Sequence, residues 1–215
     1  MKWPQFLKRE KDYQAIDRYL AISICVSFIL LALCLVVNFF SARYALESAS
    51  NPVTDMVLSN IPVYDVEIAF VYGPFLFWAL VLGLCISNPH RIPYAAKCVV
   101  FFALLRSLFV SLTHIGPYPE RIDVEPSVLV TSLTLGSDLF FSGHTAFPFL
   151  MALIFWKNKR LRYLFLALSI FFASVVLLGH VHYSIDVLGA FFITHSVYMI
   201  SEKLFKKDWE RFEAV

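Results

Sequence analysis

The stretch Tyr19–Phe40, YLAISICVSFILLALCLVVNFF, runs its whole length without an Asp, Glu, Lys or Arg. A helix needs ~20 apolar residues to cross the hydrocarbon core of a bilayer. This run therefore predicts a membrane span. Val66–Ser87, Pro93–Thr113, Leu139–Trp156, Leu161–Leu178 and Ile185–Phe205 read the same way. Turn chemistry separates them at Asn51-Pro52, Asn88-Pro89, Gly116-Pro117 and Lys157-Asn158-Lys159-Arg160. Pro74, inside the second run, is expected to kink it, which neighbouring helices tolerate in lipid. The expected fold is all-α: a polytopic membrane protein with six transmembrane helices.

Composition points the same way. Hydrophobic residues make up 59% of the 215, charged residues only 16%, and phenylalanine occurs 22 times, more apolar surface than a soluble domain of this size can hide. Cys25, Cys34, Cys85 and Cys98 sit inside apolar runs, too widely spaced for a zinc knuckle, and read as small buried residues. No linker or repeat divides the chain. It reads as one membrane domain, 19–205, between a cytoplasmic segment 1–18 and a cytoplasmic tail 206–215. Membrane lipids are the expected partners, and no nucleic acid.

The basic residues orient the bundle. Lys2, Lys8, Arg9, Lys11 and Arg18 precede the first span; His90 and Arg91 follow the second; Lys157, Lys159, Arg160 and Arg162 follow the fourth; Lys203, Lys206, Lys207 and Arg211 follow the sixth. Segments 41–65 and 114–138 are poor in basic residues and carry Glu47, Asp55, Asp65, Glu120, Asp123 and Glu125. By the positive-inside rule both termini are cytoplasmic. His144, His182 and Asp186 then fall on the lumenal, periplasmic or extracellular side, near the lipid head groups.

Ionisable groups at membrane depth are expensive and mark function by default. His182 and Asp186 are spaced i, i+4, so a sixth helix that has begun by His182 places them on one face. A carboxylate there fixes the imidazole tautomer and leaves the other nitrogen as nucleophile or base. The plain alternative is a satisfied polar contact at a helix end. His144 follows Ser142, a candidate helix N-cap, and Gly143, which allows close backbone approach to a ligand. A helix start is a ready anion site, and a histidine there can protonate a leaving oxygen. His144, His182 and Asp186 are thus the candidate catalytic residues.

Charge on a phosphoryl transition state calls for a cation, and Arg106, deep in the third span, is the candidate. Its alternative is an ion pair with Asp138 or Glu67, or snorkelling to the interface. Asp138, Ser142, Gly143, His180 and Tyr183 complete the candidate substrate-binding set. His180 lines or tunes the site, or else is interfacial. Lys97 is expected to snorkel at the cytoplasmic end. Two histidines and a cation supply acid, nucleophile and charge, so no metal or cofactor is expected. A metal or haem site from His144, His180 and His182 is the alternative.

The run Ser137-Asp138-Leu139-Phe140-Phe141-Ser142-Gly143-His144-Thr145 resembles the second motif of sphingomyelin synthases. The run His180-Val181-His182-Tyr183-Ser184-Ile185-Asp186-Val187, continuing through Ala190-Phe191-Phe192-Ile193-Thr194, resembles their third. These enzymes are a branch of the type 2 phosphatidic acid phosphatase (PAP2) superfamily. The resemblance implies a six-helix membrane bundle that transfers phosphocholine or phosphoethanolamine from a glycerophospholipid to ceramide or diacylglycerol. It implies that His182 forms a phosphohistidine and is oriented by Asp186. It also implies that His144 protonates the departing diacylglycerol oxygen and later deprotonates the acceptor. Two departures stand out. Val176 lies six before His182, where the wider superfamily has an arginine, and His195-Ser196 stand where the synthases have one after Ile-Thr. The first favours transfer over hydrolysis; the second leaves head group and acceptor open. A lipid phosphatase or phospholipase C-type hydrolase using the same site is the runner-up. A non-catalytic lipid-binding protein is the reading from another class.

Overall fold

The computed structural model describes residues 17–122 and 141–214, which are helical with no strand among them. In chain order the helices are α1 Arg18–Glu47, α2 Glu67–Ile86, α3 Arg91–Leu112, α4 Gly143–Ile154, α5 Lys159–Leu178, α6 Ser184–Leu204 and α7 Lys206–Glu213. One 3-10 turn, Leu58–Asn60, lies between α1 and α2. Five of these helices, α1, α2, α3, α5 and α6, are long and apolar enough to cross a membrane, the mark of an integral membrane protein. The fourth run forms only a 12-residue helix, about 18 Å long and short of a full span.

The burial pattern is that of a bundle in lipid. On α1, Phe28, Leu33, Leu35 and Phe40 face outward, while the buried stripe is Ser23, Ser27, Cys34, Ala42 and Ala45. Without a water-driven force between helices, association depends on close backbone approach at small residues and on hydroxyl bonds. Ser27 Oγ reaches the Pro93 carbonyl at 3.5 Å and Cys34 Sγ the Val100 carbonyl at 3.8 Å, fastening α1 to α3. Helix α1 also runs seven residues past the predicted end at Phe40. The segment after it holds good helix formers and an Arg43–Glu47 pair at 2.8 Å.

The short α4 is the centre of the bundle. Ala146, Leu150, Met151 and Ala152 are fully buried and join Phe102, Phe165, Ala190 and Val197 in one core. Gly73 lets α2 join that core closely. A Cβ there would stand 2.6 Å from the Phe172 ring of α5.

At the end opposite the candidate site, Lys97 does not snorkel. Its Nζ binds Asp208 Oδ2 at 2.6 Å and Ser23 Oγ at 2.8 Å, with 11% of the side chain exposed. The reason is α7, an amphipathic helix too short to announce itself in the sequence. It docks Phe212 beside Tyr94 and Phe155 and brings a carboxylate to the lysine. Arg211 in turn pairs with Asp17, the N-cap of α1.

Candidate active site

Three chain segments meet at the ends of α1–α2, α3 and α5–α6. Ser50 N–H donates to His114 O at 2.7 Å and Gly116 N–H to Asn51 O at 3.2 Å; a Cβ at Gly116 would sit 2.2 Å from Ser50 O. Tyr64 N–H bonds Leu178 O at 2.9 Å and Ile122 N–H bonds Gly179 O at 3.0 Å. This knot frames the residues singled out above.

The turn carrying His182 is a Schellman motif. Helix α5 ends at Leu178 with Gly179 as C-cap, and His180 takes the left-handed conformation with φ 53°. His180 N–H bonds Leu177 O at 3.1 Å, and Val181 N–H bonds Val176 O at 2.9 Å. A glycine is usual in the left-handed position. Here Gly179 precedes it, because a Cβ at 179 would be 2.8 Å from a Val66 methyl. His180 Nδ1–H donates to Glu120 O at 2.8 Å, and its ring lies edge-on to Tyr118. The side chain of His180 is thus a tie between segments, with Nε2 buried and unpartnered among the described residues.

Tyr183 is likewise committed. Its buried hydroxyl donates to Gly116 O at 2.8 Å and accepts from Val53 N–H at 3.2 Å. Asp186, 1% exposed, accepts the Tyr183 N–H on Oδ2 at 3.1 Å, one half of a capping box at the start of α6. The same Oδ2 lies 3.5 Å from His182 Nδ1. That contact is an ion-pair approach too long for a formed hydrogen bond, and neither Nδ1 nor Oδ1 has another partner among the described residues. Such bonds are often long until substrate arrives. With Nδ1 turned to the carboxylate, Nε2 is the nitrogen left for chemistry.

Ser142 N-caps α4, its side chain accepting from Thr145 N–H at 3.4 Å. Its own N–H donates to Asp186 O at 3.3 Å, which locks the start of α4 to the first turn of α6. Arg106 arrives from α3: its Nε donates to Phe141 O at 3.2 Å and lies 3.7 Å from where a Gly143 Cβ would be. That Cβ would make only ordinary contacts, so the fold itself does not demand glycine at 143. His144 stacks on Phe70 at 4.4 Å and donates Nε2–H to the Phe70 carbonyl at 3.2 Å. Asp138 lies outside the described residues. Among those described, no three His, Cys, Asp or Glu side chains gather as a metal site.

Asp55 was read from the sequence only as an acid of the first non-cytoplasmic segment. Its Oδ1 accepts from Val57 and Leu58 N–H, an ordinary local turn. Its Oδ2 accepts the Ser184 N–H at 2.7 Å and the Ser184 hydroxyl at 2.8 Å, across 129 residues. A carboxylate at the start of α6 meets both an orphan donor and the positive end of the helix. The distant partner leaves no local signal in the sequence. Burial acts most strongly on the Asp55 carboxyl and pushes it upward. Even so, the bonds from Leu58, Ser184 and Val57 together hold it below the usual carboxylate value. A carboxyl lowered in the folded state contributes stability above its unfolded value of ~3.9 and loses it as pH falls through the folded one. The Asp55→Ala protein is expected to be about 2 kcal/mol less stable at pH 7. Thermal unfolding in detergent checks this: the gap to the parent should persist at pH 5 and narrow only below about pH 4.

Residues 136–203, roughly a third of the chain, match the family model described as PAP2 superfamily C-terminal. No curated protein matches the chain. The matched stretch contains His144, His182 and Asp186 and leaves out Arg106 and Asp55. It supports the PAP2 superfamily and chemistry of lipid phosphatase or phosphotransferase type.

Proposed function

We propose that this protein is a lipid phosphotransferase of sphingomyelin synthase-like type, working from the non-cytoplasmic side of a six-span bundle with both termini cytoplasmic. His182 Nε2 attacks the phosphorus of a glycerophospholipid, forming a P–N bond as the P–O bond to diacylglycerol breaks. His144 gives its proton to the departing oxygen. The acceptor hydroxyl of ceramide or a second diacylglycerol then yields its proton to His144, and its oxygen displaces His182 from phosphorus. Asp186 steadies the His182 ring through both steps, while Arg106 and the start of α4 face the phosphoryl oxygens.

The observation that carries this reading is the bond from Ser142 N–H to Asp186 O at 3.3 Å. It joins the segment of the acid to the segment of the nucleophile, His144 and His182 standing 38 residues apart in the chain. Arg106 reaches the same helix start from a third element.

The test is a product assay on purified protein in nanodiscs, with a His144→Ala protein as control. Labelled ceramide and diacylglycerol are offered together with mixed phospholipids, and every labelled product is identified by mass spectrometry. Acceptors bearing a head group, formed only by the parent, are expected. Diacylglycerol with free phosphate or phospho-alcohol makes the protein a hydrolase. No difference from the control supports a non-catalytic lipid-binding role instead.

A further inference from the structure

We infer that Pro74 and the Phe70 carbonyl form a device that positions His144, an assignment that rests on the functional reading above. In an α-helix the N–H of residue i donates to the carbonyl of residue i−4. Proline has no N–H, so Pro74, inside α2, leaves the Phe70 carbonyl without its helical donor. At membrane depth a carbonyl released in this way needs a donor from a neighbouring helix. The donor here is His144 Nε2–H of α4, at 3.2 Å.

A carbonyl can only accept, so this bond keeps the proton on Nε2 and makes Nδ1 the bare nitrogen of the neutral ring. Phe70 fixes the plane as well as the tautomer: its ring stacks on the imidazole with centroids 4.4 Å apart and planes 18° from parallel. Phe172 stands edge-on to the same imidazole at 6.0 Å, and it reaches that place over Gly73, where a side chain would collide with it. One turn of α2 from Phe70 to Pro74 therefore supplies the acceptor, the stacking face and the space. The two histidines are oriented by different means: His182 by a carboxylate, His144 by a backbone oxygen that a proline has set free. The protonated ring gives its Nδ1 proton to the departing lipid oxygen, and the neutral ring left behind, still holding Nε2–H on the Phe70 carbonyl, takes the acceptor's proton at Nδ1.

The test compares three proteins in nanodiscs, labelled with 15N-histidine, with His144 signals assigned by their loss in a His144→Gln protein. Pro74→Ala restores an N–H that competes for the Phe70 carbonyl. Replacing Pro74 with lactic acid by nonsense suppression removes the ring but adds no donor. The parent is expected to show His144 in the Nε2–H form. The Pro74→Ala protein is expected to show a mixture of tautomers, with kcat down on the order of tenfold and KM unchanged. The lactic-acid protein should keep the parental tautomer and kcat. A Pro74→Ala protein with parental tautomer and kcat overturns the assignment. So does a lactic-acid protein as impaired as Pro74→Ala, since ring geometry rather than the missing donor is then what matters. Should Pro74→Ala not fold, the parent decides alone, and an Nδ1–H form there overturns the assignment. A parent with the Nε2–H form but no His144-dependent turnover overturns the functional reading, and the positioning role with it, while leaving the bond in place.

Discussion

His182→Ala is expected to lower head-group turnover by at least about four orders of magnitude and to abolish any acid-labile phosphoenzyme. The size follows from the role: no other group among the described residues stands where His182 Nε2 does, with a buried carboxylate behind its ring. The structure also separates this loss from misfolding. The His182 main chain is held by its N–H to Val176 O at 3.4 Å, a bond that alanine keeps. Among the described residues the imidazole makes only the 3.5 Å approach to Asp186, so its removal breaks no formed hydrogen bond of the described frame. The parent and the His182→Ala protein should therefore unfold at closely similar temperatures in detergent while differing in rate. Radiolabelled lipid and an acid quench on the second timescale measure both the rate and the intermediate. Full activity in the variant would falsify the assignment of His182 as nucleophile.

The elements legible in the sequence were those that local patterns define. Apolar runs placed α1, α2, α3, α5 and α6 to within a turn at most ends, and Ser142 showed itself as an N-cap. The i, i+4 spacing pointed to a shared helix face, but α6 starts only at Ser184, and the 3.5 Å approach of His182 to Asp186 comes from the capping turn at Tyr183 instead. What the sequence could not display were bonds between segments far apart. Tyr183 looked like a pocket residue because of its neighbours, yet its hydroxyl joins Gly116 and Val53. His180 read as a residue lining or tuning the site, or else as interfacial, yet its ring serves Glu120 O. Nothing local to Asp55 or Asp208 announces that each is buried against a partner more than a hundred residues away. Pro74 was visible, and with it the fact that Phe70 O lacked a donor. Which helix would supply the donor depends on packing, and packing in lipid follows small residues and polar ties more than any periodic pattern.

Asp186→Asn is the second large effect expected, and it separates two jobs of one carboxylate. In the parent, Oδ2 both accepts the Tyr183 N–H at 3.1 Å and faces His182 Nδ1 at 3.5 Å. An asparagine is of the same size and its carbonyl oxygen can still accept from Tyr183, so the start of α6 keeps its cap. The other half of the amide is an NH2 group that can only donate. It takes the place of Oδ1, and the oxygen left facing His182 Nδ1 is neutral, so the Nδ1–H form is held weakly and a proton can settle on Nε2, the nitrogen that must attack phosphorus. A carboxylate holds the opposite tautomer and also stabilises the positive ring that forms on phosphorylation. Turnover of the Asp186→Asn protein should fall by about 10⁴-fold, as expected for an orienting carboxylate replaced by its amide. Its unfolding temperature should stay near that of the parent. Asp186→Ala is the contrast: it removes cap and orientation together, so it should lose activity and about 1 kcal/mol of stability as well. If Asp186→Asn retains parental turnover, Asp186 is a helix cap and nothing more, and the tautomer of His182 must be set by another group. If both variants lose stability and activity in proportion, the lost activity reflects a loosened α6 start rather than a wrong tautomer.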